Sequence, residues 1–589
     1  MNSLEWNLED IFKENEIEIN IEKLEHLRKE LEKYKGTLNT SENILNCYKK
    51  YCELLEVHEK LYAYAMLKYH KDMSNVESIK LYKRLENITA IISSSLAFIT
   101  PEISKNSKED LESFLKENKG LIEFEKSIKD IIKDKAHILS EEKEELLAKF
   151  SEVFSASENI YDIFTNTELD FPSIKDENGN ELKMNMALYG KYAKSSNENI
   201  RKQAFESIYS LYKKHINSIT EMYLSRVKKA TISSNIRNYK SSLDMATQND
   251  DATINVYNAL VESVDENLYL NHKYLKLKNK ILNTEKMHMY DVYVNPLEKE
   301  EEHIEFEEAK ETILNALTIL GEEYTQKLKN AFNSNWMDVF EKENKMSGGY
   351  NLGVYGVHPF ILLNYINSSR DVSTIAHELG HAMHSDYSSS SQNIINSNYT
   401  IMVAEVASTV NEILLANYLI EKEEDLTKKA SLINEQLDMI RATLVRQTMF
   451  AEFEKIIHER IERGESQTSE TLNETYFELV KKYFGEDVIF DEEIKYEWAR
   501  IPHLYRCFYV YKYSTGISSA IAIASKILSK EDGYTEKYIE MLKQGGSKSS
   551  IELLKMVDVD LENKETYNLA FKYFEEKLNN LEKIVNKIK

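Results

Sequence analysis

Glycine and proline are scarce in this sequence, with 16 and 5 among 589 residues. Both interrupt helices, so their scarcity removes the breaks that a turn-rich β-protein, a collagen-like repeat or a flexible linker would need. Cysteine is rarer still, with Cys47, Cys52 and Cys507 as the full set. An odd, scattered set forms no ligand pattern and no disulfide scaffold; it fits reduced thiols in a cytoplasmic protein. Positive charge is also in deficit, 75 Lys and Arg against 99 Asp and Glu, a formal net charge of −24. That balance argues against nucleic acid and anionic membrane partners, both of which favour basic surfaces. The apolar patch from Ile91 to Thr100 is too short and too rich in serine to span a bilayer. The opening Met1-Asn2-Ser3-Leu4-Glu5-Trp6 lacks a basic and then apolar leader, so no secretory signal is expected.

What remains is 30% charged and 42% hydrophobic residues, a balance that suits amphipathic helices around a substantial core. Residues 1 to about 165 read as successive helices of this kind. The stretch from Leu169 to Met184, with Asn178-Gly179 at its centre, reads as a β-hairpin and suggests a boundary. The proposed division is therefore an N-terminal helical lobe, 1–185, and a second region, 186–589. Helices resume near Asn197, where Ile200, Ala204, Phe205, Ile208, Leu211 and Tyr212 trace one apolar face. Tyr290 to Pro296 reads as a strand ended by its proline.

The most informative stretch is Ser373-Thr374-Ile375-Ala376-His377-Glu378-Leu379-Gly380-His381. Residues four apart on a helix lie one above the other, so His377 and His381 share a face and can grip one divalent cation. Zinc best fits nitrogen ligands in tetrahedral geometry. Glu378 would lie toward an activated water, the arrangement a metallopeptidase uses for its general base. Val372, Ile375, Ala376, Leu379 and Met383 mark the rest of the helix as buried, with Asp371 as its N-cap.

A zinc centre needs a third protein ligand. The metzincin pattern fails, because His384 and Tyr387 stand where it wants Gly and His. A glutamate on a following helix is the other solution. Thr400 to Leu415 is such a helix, apolar on most sides, with Glu405 and Glu412 seven residues apart on one face. An acid in so apolar a segment is costly without a partner, so Glu405 is the expected ligand. Glu412 could hold the free nitrogen of a ligand histidine or pair with a Lys or Arg. His384 is expected to be hydrogen-bonded locally rather than to be a ligand. Upstream, Ser347-Gly348-Gly349-Tyr350 and the apolar run Tyr355 to Asn364 suit a small sheet beside the site, whose edge could bind a peptide through main-chain hydrogen bonds.

The unit His377-Glu378-Leu379-Gly380-His381-Ala382-Met383-His384, followed by Ala404-Glu405 and on to Glu412, resembles the M3 family of zinc peptidases, in its oligoendopeptidase F branch. Trp6 to Phe12, His137 to Glu142, Ser347 to Tyr350, His358 to Tyr365, Trp498 to His503 and Gly545 to Lys548 extend the likeness over the whole chain. The resemblance implies a mainly α fold, a large two-lobed helical clamshell enclosing a deep channel, with a small β-sheet beside a zincin-like site. It implies one zinc ion per chain on His377, His381 and Glu405, Glu378 as general base, and flexible oligopeptides as substrates. It also implies that His503, Tyr509 and Tyr513 contact the substrate and share the oxyanion charge. Tyr509 and Tyr513, four apart, would lie on one helix face with His503 near its start, and Tyr505 and Tyr511 would be packing. It places a flexible loop beside the cleft near Gly545, ahead of a capping box from Ser549 to Glu552. Two rivals remain: a helical zinc carboxypeptidase, which would need a cationic group for the substrate's terminal carboxylate, and a non-catalytic peptide-binding protein.

Overall fold

The computed structural model describes residues 4–297 and 303–588, and the chain is 72% helical. By its internal contacts the chain divides into two compact units, each assembled from three sequence segments. The first comprises Met1–Ala136, Glu301–Leu415 and Ile523–Asp558; the second comprises His137–Glu300, Ala416–Ala522 and Val559–Lys589.

In the first unit, three helices, Ile17–Glu32, Ser41–Lys71 and Val76–Leu96, pack together. Leu24, Leu31, Ile44, Leu54 and Leu85 are fully buried among them. Their boundaries follow capping chemistry: the Thr40 side chain accepts from the Asn43 amide, and Asn75 accepts from Ser78. Phe360 and Leu362 join the same core from a three-stranded sheet. In that sheet Phe360–Tyr365 is central, parallel to Met337–Phe340 and antiparallel to Tyr350–Leu352. The central strand is buried almost throughout, which suits its continuous apolar sequence. Tyr350–Leu352 is an edge strand, in the register Tyr350 to Leu362 and Leu352 to Phe360. Asn364 Nδ2 donates to the Met346 and Gly348 carbonyls at 2.9 and 2.7 Å and so fixes the turn before that edge.

In the second unit the long helices Ile254–Leu282 and Lys564–Ile588 pack against one another, and Leu426–Ile440 packs on the latter. Several of the charges buried here are paired. Lys278 Nζ lies 3.1 Å from Asp438, and Arg201 lies 2.6 Å from Asp291. Glu497 accepts from Arg446, Arg500 and the Tyr476 hydroxyl, each at 2.6 Å. The hairpin is present, with Ile174–Lys175 antiparallel to Glu181–Leu182. Its loop is longer than a two-residue turn: Gly179, at φ +82°, closes a turn in which Asp176 accepts from the amides of Asn178 and Asn180. The strand expected from Tyr290 to Pro296 does not form. Met289–Asp291 is a 3-10 turn instead, because Asp291 accepts from the His288 amide at 3.0 Å and is tied to Arg201. The strand that does form, Met287–His288, lies just before it, parallel to Val488–Ile489.

Candidate metal centre

The His-Glu-x-x-His segment lies in the helix Ser369–Ser391. Its N-cap is Ser368 and not Asp371. Ser368 accepts from the Asp371 amide, and Asp371 reaches back to the Ser368 amide at 3.0 Å, so the acid is the third residue of a capping box. The expected apolar face is buried, with Val372, Ile375, Ala376, Leu379 and Met383 each at most 4% exposed. This helix packs on both Tyr350–Leu352 and Phe360–Tyr365, so the small sheet stands beside it as expected.

The second helix, Ile401–Lys422, is, among the described residues, the one long and apolar enough to cross a membrane by length and composition, and it is mostly buried. It meets the first at Gly380. A Cβ built there would lie 2.5 Å from Ser408 Cα and 2.6 Å from the Ala407 carbonyl. No residue larger than glycine permits that approach. The crossing brings Glu405, one turn before Ser408, to the two histidines. Glu405 Oε2 is 3.7 Å from His377 Nε2 and 3.9 Å from His381 Nε2, and the two Nε2 atoms are 3.2 Å apart. Nitrogens held at about 2.0–2.1 Å by one tetrahedral ion lie about 3.3 Å from each other. The donor set therefore fits a single divalent cation.

The electrostatics point the same way. Burial opposes a charged His377, yet the carboxylates of Glu412, Glu378 and Glu405 outweigh it and hold the ring up at about 9. Burial, and then the charge on His377, push His381 down to about 3. One imidazole cationic and its neighbour neutral is what two facing nitrogens adopt when only protons are at hand. A cation on both lone pairs removes the conflict. Glu412 Oε1 stands 3.4 Å from His377 Nδ1, so that nitrogen carries the proton and Nε2 faces Glu405. Glu405 itself is raised by burial.

Glu378 is 6% exposed and lies against the edge strand. A Cβ on Gly349 would meet its Oε1 at 3.5 Å, and the Asn351 backbone donates to it. Burial pushes its carboxyl up to about 7, against the pull of His377. His384 is buried and stacked on Tyr399 with ring centroids 3.6 Å apart, and its Nδ1 has no hydrogen-bond partner. The Gly545-Gly546 turn is packed tightly. The Gly546 amide donates to the Asn396 carbonyl at 2.7 Å, and a Cβ on Gly545 would meet Ser388 Oγ at 2.2 Å. That turn is seated on the link between the two site helices, and the capping box after it, Ser549 to Glu552, is present.

His377, Glu378, His381, Glu405 and Glu412 thus assemble within the first unit. His503, Tyr509 and Tyr513 assemble with one another in the second. The Tyr513 hydroxyl is 3.3 Å from His503 Nε2, and Tyr509 packs on both rings at 5.9 and 5.5 Å. Burial, then Arg506, lower the His503 imidazole. The cluster is not built on one helix as expected. Pro502–Tyr505 is a 3-10 turn, Phe508 stands at φ +56°, and the helix Tyr511–Leu528 begins only afterwards. Tyr505 and Tyr511 are packing residues, stacked on Tyr161 and bonded to Asp250 respectively. Gly380 and the Phe508 turn escaped the sequence reading, although a lone glycine inside a helical pattern was a signal for the first.

Comparison with known proteins agrees with this geometry. The model of peptidase family M3 matches residues 191–573, and that of oligopeptidase F matches residues 102–171. The oligopeptidase PepF of Bacillus subtilis is 37% identical over 99% of this chain and 88% of its own length. An oligoendopeptidase F homolog of Borreliella burgdorferi is 36% identical over 98% of each chain. A crystal structure of oligoendopeptidase F from Enterococcus faecium superposes with a TM-score of 0.74 at 33% identity, covering 97% of this chain and 98% of its own. A protein of Chlamydophila abortus superposes at 0.94 with 30% identity, covering 99% and 98%. Full-length likeness of sequence and fold, together with a donor set made for one cation, places the chain in peptidase family M3, in its oligoendopeptidase F branch, as a metalloendopeptidase.

Proposed function

We propose that this metallo-oligopeptidase is a zinc endopeptidase that cleaves flexible oligopeptides with Glu378 as general base. The observation that carries the reading is the convergence of His377, His381 and Glu405 beside a buried Glu378. Bound by those three side chains, one zinc ion supplies Lewis acidity toward water and the scissile carbonyl. Glu378 takes the proton of the attacking water and returns it to the leaving amine. Burial raises this carboxyl above the ordinary range, which suits it to exchange a proton. The Tyr350–Leu352 edge offers main-chain donors and acceptors to an extended peptide, whatever its side chains. His503 and Tyr513 donate to the oxyanion and Tyr509 contacts the substrate; their mutual packing and the family resemblance support these roles. Along the sequence, the catalytic region begins near residue 186, after an N-terminal part of 1–185, as the separate spans of the two family models support. Three free cysteines support a cytoplasmic setting.

The test is an internally quenched peptide blocked at both ends. Cleavage that stops on chelation and returns with added zinc is expected. An intact blocked peptide, alongside trimming of one with a free carboxylate, would establish the carboxypeptidase in its place.

A further inference from the structure

The helix Arg446–Glu462 carries a second cluster that the peptidase chemistry does not use. Glu454 and His458 are four residues apart on one face, at 0% and 1% exposure. Glu454 Oε1 accepts the Phe508 amide at 2.6 Å, while Oε2 is buried with no hydrogen-bond partner. His458 Nε2 is likewise buried without a partner. Its tautomer follows from the neighbours. Ser242 Oγ donates its single proton to Glu462 Oε1 at 2.6 Å, so it can only accept from His458 Nδ1, at 2.9 Å. The proton of the ring is on Nδ1, and Nε2 presents a bare lone pair. Cys507 Sγ completes the group: a carboxylate oxygen of Glu454, a ring nitrogen of His458 and this sulfur all lie within 4.8 Å of one another.

A carboxylate oxygen and an imidazole lone pair, both acceptors without partners, are thus buried on residues that cluster with a sulfur. Burying such atoms unpaired is costly, and a shared cation satisfies all of them at once. We infer that Glu454, His458 and Cys507 form a second metal site, selective for a borderline-soft divalent cation of the zinc class. Imidazole and thiolate disfavour magnesium and calcium, which take oxygen ligands. A thiolate and a carboxylate neutralise the ion, so the filled site adds no net charge to the interior. The site is structural in position. It would clamp Cys507 and the left-handed Phe508 to the helix, immediately before Tyr509.

Cobalt(II) titration of the full-length chain, stripped by a chelator, tests this. The His377, His381 and Glu405 set has no sulfur, so a near-ultraviolet sulfur-to-cobalt charge-transfer band reports on the second site alone. About two cobalt ions per chain and such a band are expected. The band should vanish in Cys507→Ser and in His458→Gln, while the visible absorption of the first ion stays. Binding of a single cobalt ion without the band would overturn the inference and leave a proton shared by Glu454 and His458 as the occupant. A band that survives Cys507→Ser in a folded chain would overturn it equally. Where a variant fails to fold, the wild-type titration alone decides.

Discussion

Burial and charge pull Glu378 in opposite directions. Loss of solvent raises its carboxyl, His377 lowers it, and Glu405 and Glu412 raise it again, leaving it at about 7. Replacing it with glutamine keeps the size and removes the proton acceptor. Glu378→Gln should keep the zinc content of the parent by metal analysis and lose about 10²–10⁴-fold in kcat. A near wild-type rate would remove Glu378 from its role. At this scale the sequence was informative where spacing dictates geometry. His377 and His381 had to share a face, and Glu405 stood out as an acid in an apolar helix. It was silent where a distant residue sets the local conformation. Nothing in Arg506-Cys507-Phe508-Tyr509 announces a left-handed phenylalanine; Glu454, 54 positions earlier, holds its amide. The offset between Ser368 and Asp371 at the helix start has a similar origin, since both ends of a capping box are polar and either can pass for the cap.

Helix pairs, rather than single side chains, decide whether the centre assembles. The Ser369–Ser391 and Ile401–Lys422 helices touch main chain to main chain at Gly380, and a methyl group there has nowhere to go. Gly380→Ala should cost about 1–3 kcal/mol through forced separation. Expressed at the ligands, that is a fall of about 10–100-fold in zinc affinity with helix content retained by circular dichroism. Unaltered affinity would show that the helices cross by some other constraint. A second junction is Glu497, which ties its own 3-10 segment to the Arg446–Glu462 and Ser469–Phe484 helices. Burial alone would raise this carboxyl, but Arg446 and Arg500 hold it down at about 2, against 4.5 unperturbed. A depressed native value means that the stabilisation is fully present above about 4.5 and is lost as pH falls toward about 2. Thermal melts should therefore weaken across that acid window, and Glu497→Gln should cost about 3–5 kcal/mol at neutral pH by leaving two guanidinium groups buried and unpaired. A variant as stable as the parent at pH 7 would refute it. Helices were legible because so few residues can break them. The strand expected at Tyr290 to Pro296 was not, because Asp291 is spent on Arg201 and on the His288 amide, and an apolar run of that length cannot distinguish a strand from a buried turn.

For the molecule as a whole, resemblance reached further than periodicity. Motifs spread from Trp6 to Lys548 announced a family that spans the chain, and the full-length matches agree. No local pattern, however, could announce that each compact unit is stitched from three separated segments, because pairings between residues hundreds of positions apart leave no mark on hydrophobic spacing. That interleaving has a consequence for biosynthesis. The first unit is completed only by Ile523–Asp558 and the second only by Val559–Lys589. A ribosome must hence release nearly the entire polypeptide before either half can close, which makes folding late and leaves long intermediates exposed to chaperones and proteases. Nascent chains stalled before residue 523 should be digested throughout by a protease that spares the finished enzyme; a resistant fragment from such a chain would mean that an earlier portion shelters itself.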